Sequence, residues 1–260
     1  MADPDQHRSP SPPDSPAPSL RDRLLASPVT SVLLGACVAL FALTHVWSHG
    51  AYGTVLKRMG ANIGANVRAG EVYRLFASAF LHANEYHLLF NMVALWSFGP
   101  FLETVLGRRR YLVLYATAAL GGALASTLFG GHRSSVGASG AIWGLMAAGV
   151  MLSLRPKGLL PPLFVAEMRR RAAAPLVLNL IYSLSPGIDM LAHVGGGVIG
   201  ALLMATVLTD GLVPMSERSA GDAAERRPSA VYGAAAWILG AAMALSVGAA
   251  LVVGRPWQAL

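Results

Sequence analysis

Four polar residues at the ends of apolar runs have the types and spacing that nucleophilic chemistry needs. Ser139 lies in the stretch GASG, and a serine hydroxyl is a poor nucleophile until a base takes its proton. His193, in AHVGG, is a suitable base. His87 and Asn91 are four residues apart, so they share one face of a helix, and both can donate hydrogen bonds to a developing oxyanion. The pattern favours acyl transfer to a serine.

The backbone around Ser139 is suited to binding negative charge. Ser139 opens a predicted helix, where free N–H groups and the positive end of the helix dipole favour an anion. Gly137 permits a turn that directs such N–H groups inward, and Gly140 removes bulk beside the nucleophile. The predicted oxyanion site comprises His87, Asn91, Ser139 and Ala138.

Small residues around His193 predict that two helices approach closely. Gly196 and Gly200 have the small-xxx-small spacing that brings membrane helices together, which would let Ser139 reach the imidazole. Trp143 lies one helical turn after Ser139, so its ring is expected to pack against His193.

The composition indicates that these elements are membrane helices. Of the 260 residues, 54% are hydrophobic and only 13% are charged, whereas soluble proteins have about 25% charged residues. A membrane span needs about 20 apolar residues. The sequence predicts seven spans, at residues 29–48, 86–106, 111–130, 138–154, 172–186, 189–208 and 231–254. The fifth is short and contains Pro175, so it is the least regular.

Charge predicts the orientation of the chain. With the N-terminus inside, most of the 20 lysines and arginines fall on the cytoplasmic side, as the positive-inside rule requires, and the C-terminus lies outside. The second, fourth and sixth spans then run inward, so their site residues share one depth near the outer surface.

The net charge of +7 is explained by topology, because the arginines lie between apolar runs and form no basic face for nucleic acid.

The remaining segments are predicted from composition. Residues 1–28 are rich in Pro and Ser and are expected to form a disordered cytoplasmic tail. The core is expected over 29–209, a cytoplasmic linker over 210–230, the seventh helix over 231–254 and a short outer tail over 255–260. The outer loop at about 49–85 is expected to have structure of its own, and residues 157–171 to lie on the membrane surface. The single cysteine, Cys37, excludes a disulfide within the chain.

The motifs HLLFN, GASGA and AHVGG, in this order and each at a helix start, resemble those of the rhomboid intramembrane serine proteases. Arg74 in EVYR resembles the arginine of the family's Trp-Arg motif, with Tyr73 in place of Trp, and His82 also fits the pattern. Met190 stands where relatives often have Asn. The resemblance covers about residues 70–209. It implies a six-helix bundle with one additional C-terminal helix, a Ser139–His193 dyad, no metal or cofactor, and single-pass membrane proteins as substrates.

Each polar residue also has an ordinary structural interpretation. Ser139 alone is consistent with a helix N-cap, and His87, Asn91 and His193 with polar contacts between helices. The four residues together favour a functional site, because polar side chains within a membrane are costly and are rarely clustered unless they have a function. Asp189 is either a third catalytic group or the N-cap of the sixth span, and we favour the cap.

Two further polar residues are given structural interpretations. Glu103 is expected to pair with the arginines at 108–110. His45, on the first span, has no partner that the sequence indicates and is interpreted as interfacial.

Other classes of membrane protein are less consistent with the sequence. A transporter would need inverted repeats and broken helices, which are not evident. A zinc protease would need HExxH, and an aspartic protease a pair of aspartates within its spans; neither is present. A catalytically inactive relative that only binds membrane helices is the main alternative. A bacterial inner membrane is the expected location, and the oligomeric state stays open.

Overall fold

The computed structural model describes residues 19–130, 134–156, 158–166, 168–169, 177, 181, 183–185, 187–218 and 229–256. These residues are mostly helical, and the strands that they contain form one antiparallel pair of two residues each. The predicted all-α class is therefore confirmed at this level. The predicted fifth span, 172–186, falls largely outside the described residues, as does most of the predicted tail.

The elements are numbered here in chain order. The helices are α1 (Leu20–Ala26), α2 (Pro28–Ser48), α3 (Tyr52–Arg58), α4 (Gly64–Arg68), α5 (Arg74–Ala77), α6 (Glu85–Leu106), α7 (Arg108–Phe129), α8 (Ser139–Leu154), α9 (Met190–Thr206) and α10 (Ala230–Gly254). The strands are β1 (Asn62–Ile63) and β2 (Ser134–Ser135), and 3-10 turns occur at Ser78–Phe80 and Met215–Glu217. Residues 162–166, within the segment predicted to lie on the membrane surface, are also helical.

Helix length separates two groups of apolar helices. Within the described ranges, α2, α6, α7 and α10 have 21 to 25 residues and are long and apolar enough to cross a bilayer. Helices α8 and α9 have 16 and 17 residues, shorter than a straight span needs. The protein is thus a multi-pass membrane protein, whereas the full count of seven spans stays a prediction.

Local sequence explains where the site helices begin. Asn84 caps α6 by accepting a hydrogen bond from the backbone N–H of His87, at 2.9 Å. Gly107, with φ of 77°, separates α6 from α7. Asp189 caps α9 through its side chain, which accepts from the backbone N–H of Ala192 at 3.0 Å. The cap role that the sequence favoured for Asp189 is therefore the one observed.

The N-terminal tail differs from its predicted disorder at its end. Residues 20–26 form helix α1, because Ser19 and Asp22 make a capping box in which each side chain accepts a hydrogen bond from the other residue's backbone N–H. The prediction of disorder rested on the polar composition of the whole segment and did not take this local capping signal into account. Residues 1–18 lie outside the described ranges.

The first connection, residues 49–84, has the internal structure that was predicted and is fastened to α7. The Asn62 side chain donates to the Ala123 carbonyl at 2.9 Å and accepts from the Thr127 hydroxyl at 3.0 Å. Arg68 donates to the Thr127 carbonyl at 2.8 Å. β1 also pairs with β2, with Asn62 opposite Ser135. The connection is therefore held both to α7 and to the segment just before α8.

Helices α7, α8 and α9 pack together at the centre of the molecule. The close packing depends on glycine, since a Cβ on Gly196 would overlap the carbonyl oxygen of Gly140, and one on Gly200 would overlap that of Gly144. Tyr111, at the start of α7, is fully buried, with its hydroxyl close to Gly99 of α6. The predicted close approach of the fourth and sixth spans is thus observed between α8 and α9.

The prediction for Glu103 is wrong. Its carboxylate is buried and accepts hydrogen bonds from the N-terminus of α2: from Val29 N at 3.0 Å, Thr30 N at 2.9 Å and Thr30 Oγ1 at 2.8 Å. A carboxylate at a helix N-terminus satisfies free N–H groups and is favoured by the dipole. This explains why Glu103 binds α2 rather than the arginines that follow it in sequence.

His45, interpreted from the sequence as interfacial, has partners that the sequence did not indicate. Its Nε2 lies 3.2 Å from the Glu85 carboxylate, and its ring packs 4.8 Å from the ring of Tyr52. The Tyr52 hydroxyl in turn donates to the His82 carbonyl at 2.8 Å. These contacts join the end of α2 to the start of α6, so His45 is a structural residue at that junction.

Candidate active site

Ser139 and His193 are in direct contact. The Ser139 Oγ lies 2.8 Å from His193 Nε2, although the residues are 54 positions apart. Ser139 is the first residue of α8; the N-cap is Ala138, and no side-chain capping bond is made there. The imidazole is buried and the serine is half-buried. A hydroxyl within hydrogen-bond reach of a histidine nitrogen is the arrangement of a nucleophile and its general base.

The other imidazole nitrogen contacts a residue that the sequence did not single out. Ser183 Oγ lies 2.6 Å from His193 Nδ1, and the Ser183 side chain is 2% exposed. Ser183 falls within the predicted fifth span, where it and the nearby Ser185 gave no signal beyond their polarity. The imidazole is therefore held between two serine hydroxyls.

Trp143 and His193 are stacked, as the sequence predicted. Their ring centroids are 5.3 Å apart, and the planes differ by 17°. Both side chains are buried, so the indole covers one face of the imidazole. Offset parallel packing of this kind stabilises a ring in one plane.

Close packing of α8 against α9 makes the Ser139–His193 contact possible. Gly140 follows the serine directly and lies against the Ala192 carbonyl, where a Cβ would be 3.3 Å from the oxygen. Gly196, one turn after His193, faces the Gly140 carbonyl, where a Cβ has no room. Larger residues at these points would move His193 away from Ser139.

His87 lies beside the turn that leads to Ser139. A Cβ on Gly137 would be 2.7 Å from His87 Nε2 and 3.6 Å from Ser139 Oγ, so the ring edge lies next to this backbone. Gly137 has φ of +125°, which L-residues rarely adopt, so glycine is required for both space and conformation. The Ala83 N–H points at His87 Nδ1 from 3.4 Å. With Nδ1 as the acceptor, the ring proton is on Nε2, which faces the site.

Asn91 is buried one turn after His87, on the same face of α6. Its amide nitrogen donates to the His87 carbonyl at 2.8 Å. This bond uses one of the two amide protons and fixes the orientation of the side chain, and the second proton is available to a ligand.

The turn before Ser139 is tied to the first connection. The Gly137 N–H donates to the Ser78 carbonyl at 2.9 Å, and β2, just before it, pairs with β1. A small cavity beside this turn is lined by Ser78, Gly137, Gly140 and Ala192, among other residues. The start of α8 is thus supported from outside its own helix.

Arg74 organises the first connection at a distance from the chemistry. Its guanidinium, which is buried, contacts the Glu71 carboxylate at 2.5 Å and donates to the carbonyls of Lys57 at 2.7 Å and Ala61 at 2.9 Å. The Tyr73 hydroxyl donates to the same carboxylate at 3.0 Å. Burial alone would raise the pKa of Glu71, but hydrogen bonds from its neighbours and the Arg74 charge lower it below its usual value. Arg74 is a structural residue here.

His82 is fully buried 5.2 Å from the ring of His87, in an edge-to-face arrangement. Neither ring nitrogen has a hydrogen-bond partner among the described residues. Burial, reinforced by nearby His87, lowers the pKa of His82 to about 3, so the ring is neutral at physiological pH. It supports the ring of His87 by packing.

Comparison with known proteins identifies the family that these motifs resemble. The family profile described as Rhomboid domain matches residues 69–210. The rhomboid protease AarA of Providencia stuartii is 32% identical over 200 residues, which cover 69% of this chain and 71% of AarA. The rhomboid protease GluP of Bacillus subtilis is 29% identical over 180 residues, 69% of this chain and 34% of GluP.

A plant protein is similar over a shorter region. RHOMBOID-like protein 1 of Arabidopsis thaliana is 39% identical over 153 residues, 57% of this chain and 38% of its own length. The chain therefore spans well under half the length of this relative and of GluP.

Proposed function

This chain belongs to the rhomboid family, and from that premise we propose that it is a serine endopeptidase that cuts other membrane proteins within the bilayer. The observation that carries the proposal is the 2.8 Å contact between Ser139 Oγ and His193 Nε2. Two of its relatives, AarA and GluP, are named rhomboid proteases.

The proposed chemistry is acyl transfer in two steps. Ser139 attacks the scissile carbonyl while His193 Nε2 takes the hydroxyl proton, and the imidazolium then returns that proton to the leaving amine. Water hydrolyses the acyl-enzyme with His193 again acting as the base. No metal or cofactor enters either step.

The proposed oxyanion site is built from α6 and the start of α8. His87 Nε2–H, the second amide proton of Asn91 and the backbone N–H groups of Ala138 and Ser139 are its donors. The support is the position of the His87 ring edge beside Gly137 and the buried Asn91 one turn away. Donors arranged before the reaction stabilise developing charge better than mobile water does.

The proposed substrate is a single membrane-spanning helix, cut near its outer end. The peptide bond must be extended to be attacked, so the substrate should contain small or helix-breaking residues at that point. Water must also reach the site, and the polar residues His87, Ser139 and His193 all lie at the starts of helices. Under the predicted topology, these three starts face outward.

We place the protein in a cell membrane, with the N-terminus in the cytoplasm, the C-terminus outside, and six helices forming the core ahead of α10. The distribution of lysine and arginine supports this orientation. The relatives AarA and GluP come from bacteria, which is consistent with a bacterial inner membrane.

The test is cleavage of a membrane-helix substrate reconstituted in vesicles. Ser139→Ala and His193→Ala should each abolish cleavage while the protein stays folded. Ser134→Ala removes an exposed serine only five residues before Ser139, and it should leave cleavage unchanged. A fluorophosphonate probe should label the wild type and not Ser139→Ala. Full cleavage by folded Ser139→Ala would refute the proposal, and so would absence of both labelling and cleavage in the folded wild type, which would favour the alternative of an inactive relative.

A further inference from the structure

We infer that Ser183 is a positioning residue for the base, with its hydroxyl oxygen accepting the Nδ1–H of His193. This inference rests on the proposed function, because it assigns a role in keeping His193 ready to take the proton of Ser139. The observation is the 2.6 Å contact between Ser183 Oγ and His193 Nδ1, on the side of the ring opposite Ser139.

The role follows from the two tautomers of neutral imidazole. One nitrogen carries a proton and the other carries a lone pair. His193 can take a proton from Ser139 only if its lone pair is on Nε2, which requires the proton on Nδ1. A hydrogen-bond acceptor at Nδ1 stabilises this tautomer, and the Ser183 oxygen is at the right distance.

Asp189, which the sequence offered for this role, makes no side-chain hydrogen bond to the His193 ring. It precedes His193 by one turn, and its Oδ1 accepts from the backbone N–H of Ala192 at 3.0 Å as the cap of α9, while its buried Oδ2 has no hydrogen-bond partner among the described residues. Trp143 holds the plane of the imidazole by stacking. Stacking does not select which nitrogen carries the proton, so the choice of tautomer depends on the group at Nδ1.

A hydroxyl is well suited to this buried position. Ser183 is 2% exposed and His193 is 8% exposed, so a carboxylate in place of Ser183 would be a buried charge for as long as the imidazole is neutral. A neutral acceptor avoids that desolvation. When His193 takes the proton, the same hydrogen bond becomes charge-assisted and stronger, so Ser183 also stabilises the imidazolium.

Substitutions at residue 183 can separate the effect of the hydroxyl group from the effect of side-chain size. Threonine and valine have the same shape, and only threonine carries the hydroxyl. We expect Ser183→Thr to retain most of the wild-type kcat, while Ser183→Val and Ser183→Ala lose about tenfold, the size of one hydrogen bond, with KM little changed. Equal kcat for Thr and Val, or an effect confined to KM, would overturn the inference.

Nitrogen NMR of histidine in detergent micelles tests the contact without any substrate. The His193 signals are identified by their loss in His193→Ala. We expect the Nδ1-protonated tautomer in the wild type and a mixture of tautomers in Ser183→Ala. The Nε2-protonated tautomer in the wild type, or an unchanged spectrum in Ser183→Ala, would refute the role.

The two proposals can fail separately. If Ser139→Ala cleaves substrate as the wild type does, the protease function fails, and the tautomer measurement still decides whether Ser183 accepts from His193. If Ser139→Ala is inactive but the hydroxyl at 183 affects neither kcat nor the tautomer, only the role of Ser183 fails.

Discussion

The indole of Trp143 lies nearly parallel to the imidazole of His193, with 5.3 Å between ring centroids. The stack joins α8 to α9 at the level of Ser139, because Trp143 is one turn after the serine on the same helix. Helix α8 therefore carries Ser139 and also holds the imidazole of His193 in its plane.

Removing this stack should slow the chemistry more than it weakens substrate binding. Trp143→Phe keeps an aromatic face and should stay close to the wild type, whereas Trp143→Leu loses about 0.5–1.5 kcal/mol of ring stacking. We expect kcat to fall about two- to tenfold in Trp143→Leu, with KM little changed. Trp237→Leu, at an exposed position on α10, is the control. Equal kcat in Trp143→Leu and the wild type would contradict the role of the stack.

Of two adjacent glycines on α9, only Gly197 should tolerate replacement by alanine. A methyl on Gly196 would collide with the Gly140 carbonyl, whereas one on Gly197 would meet its nearest neighbour, Trp143, at an ordinary 3.7 Å. Gly196→Ala should lose about 1–3 kcal/mol of stability through overpacking and most of its activity. Gly197→Ala should keep both. Thermal unfolding in detergent and cleavage rates measure the difference, and similar behaviour of the two variants would exclude close packing as the cause.

The Glu103 contact predicts a stability effect that does not involve arginine. Glu103→Gln weakens the hydrogen bonds to the N-terminus of α2 and should cost about 1–3 kcal/mol in the free energy of unfolding. Glu85→Gln, on the same helix, breaks only the exposed pair with His45 and should cost less than about 1 kcal/mol. Denaturant unfolding in mixed micelles compares them. If Arg108, which is exposed, were the real partner, Arg108→Gln would reproduce the Glu103→Gln loss.

His82 should make the fold sensitive to acid. Its pKa is about 3 in the folded protein and near 6.5 when unperturbed, so between these values the unfolded chain binds a proton that the folded protein does not. Stability should therefore fall as the pH drops below about 6.5. His82→Phe keeps a buried ring and removes the titration, so its Tm should fall less than the wild-type Tm between pH 7 and pH 5. Parallel Tm values for the two proteins would show that His82 does not contribute.

Much of the site was predictable because its signals are local. Predicted spans such as 86–106 and 231–254 agree with α6 and α10 within one residue, since apolar length determines both. The roles of Gly137 and Asp189 followed from turn and cap chemistry, which depends on a few neighbouring residues. Ser139 and His193 stood out because polar groups are unusual in apolar runs.

What the sequence missed are contacts between distant segments. An ion pair of Glu103 with the arginines at 108–110 was predicted because they are close in sequence. In the structure, packing brings residues 29–30 against the Glu103 carboxylate instead. Ser183 contacts His193 only once the chain has folded, and nothing in YSLSP distinguishes Ser183 from Ser185. The strand pair has two residues on each side, too few for an alternation of apolar and polar residues to appear.

The strand pair holds the turn that leads to Ser139 from outside the helix that carries it. Because Asn62 pairs with Ser135 and the Gly137 N–H donates to the Ser78 carbonyl, the residues just before Ser139 are fixed to the first connection. Helix α8 itself has only 16 residues and begins at Ser139. A change in the first connection would therefore move the start of α8, and Ser139 with it, without any substitution in α8 itself.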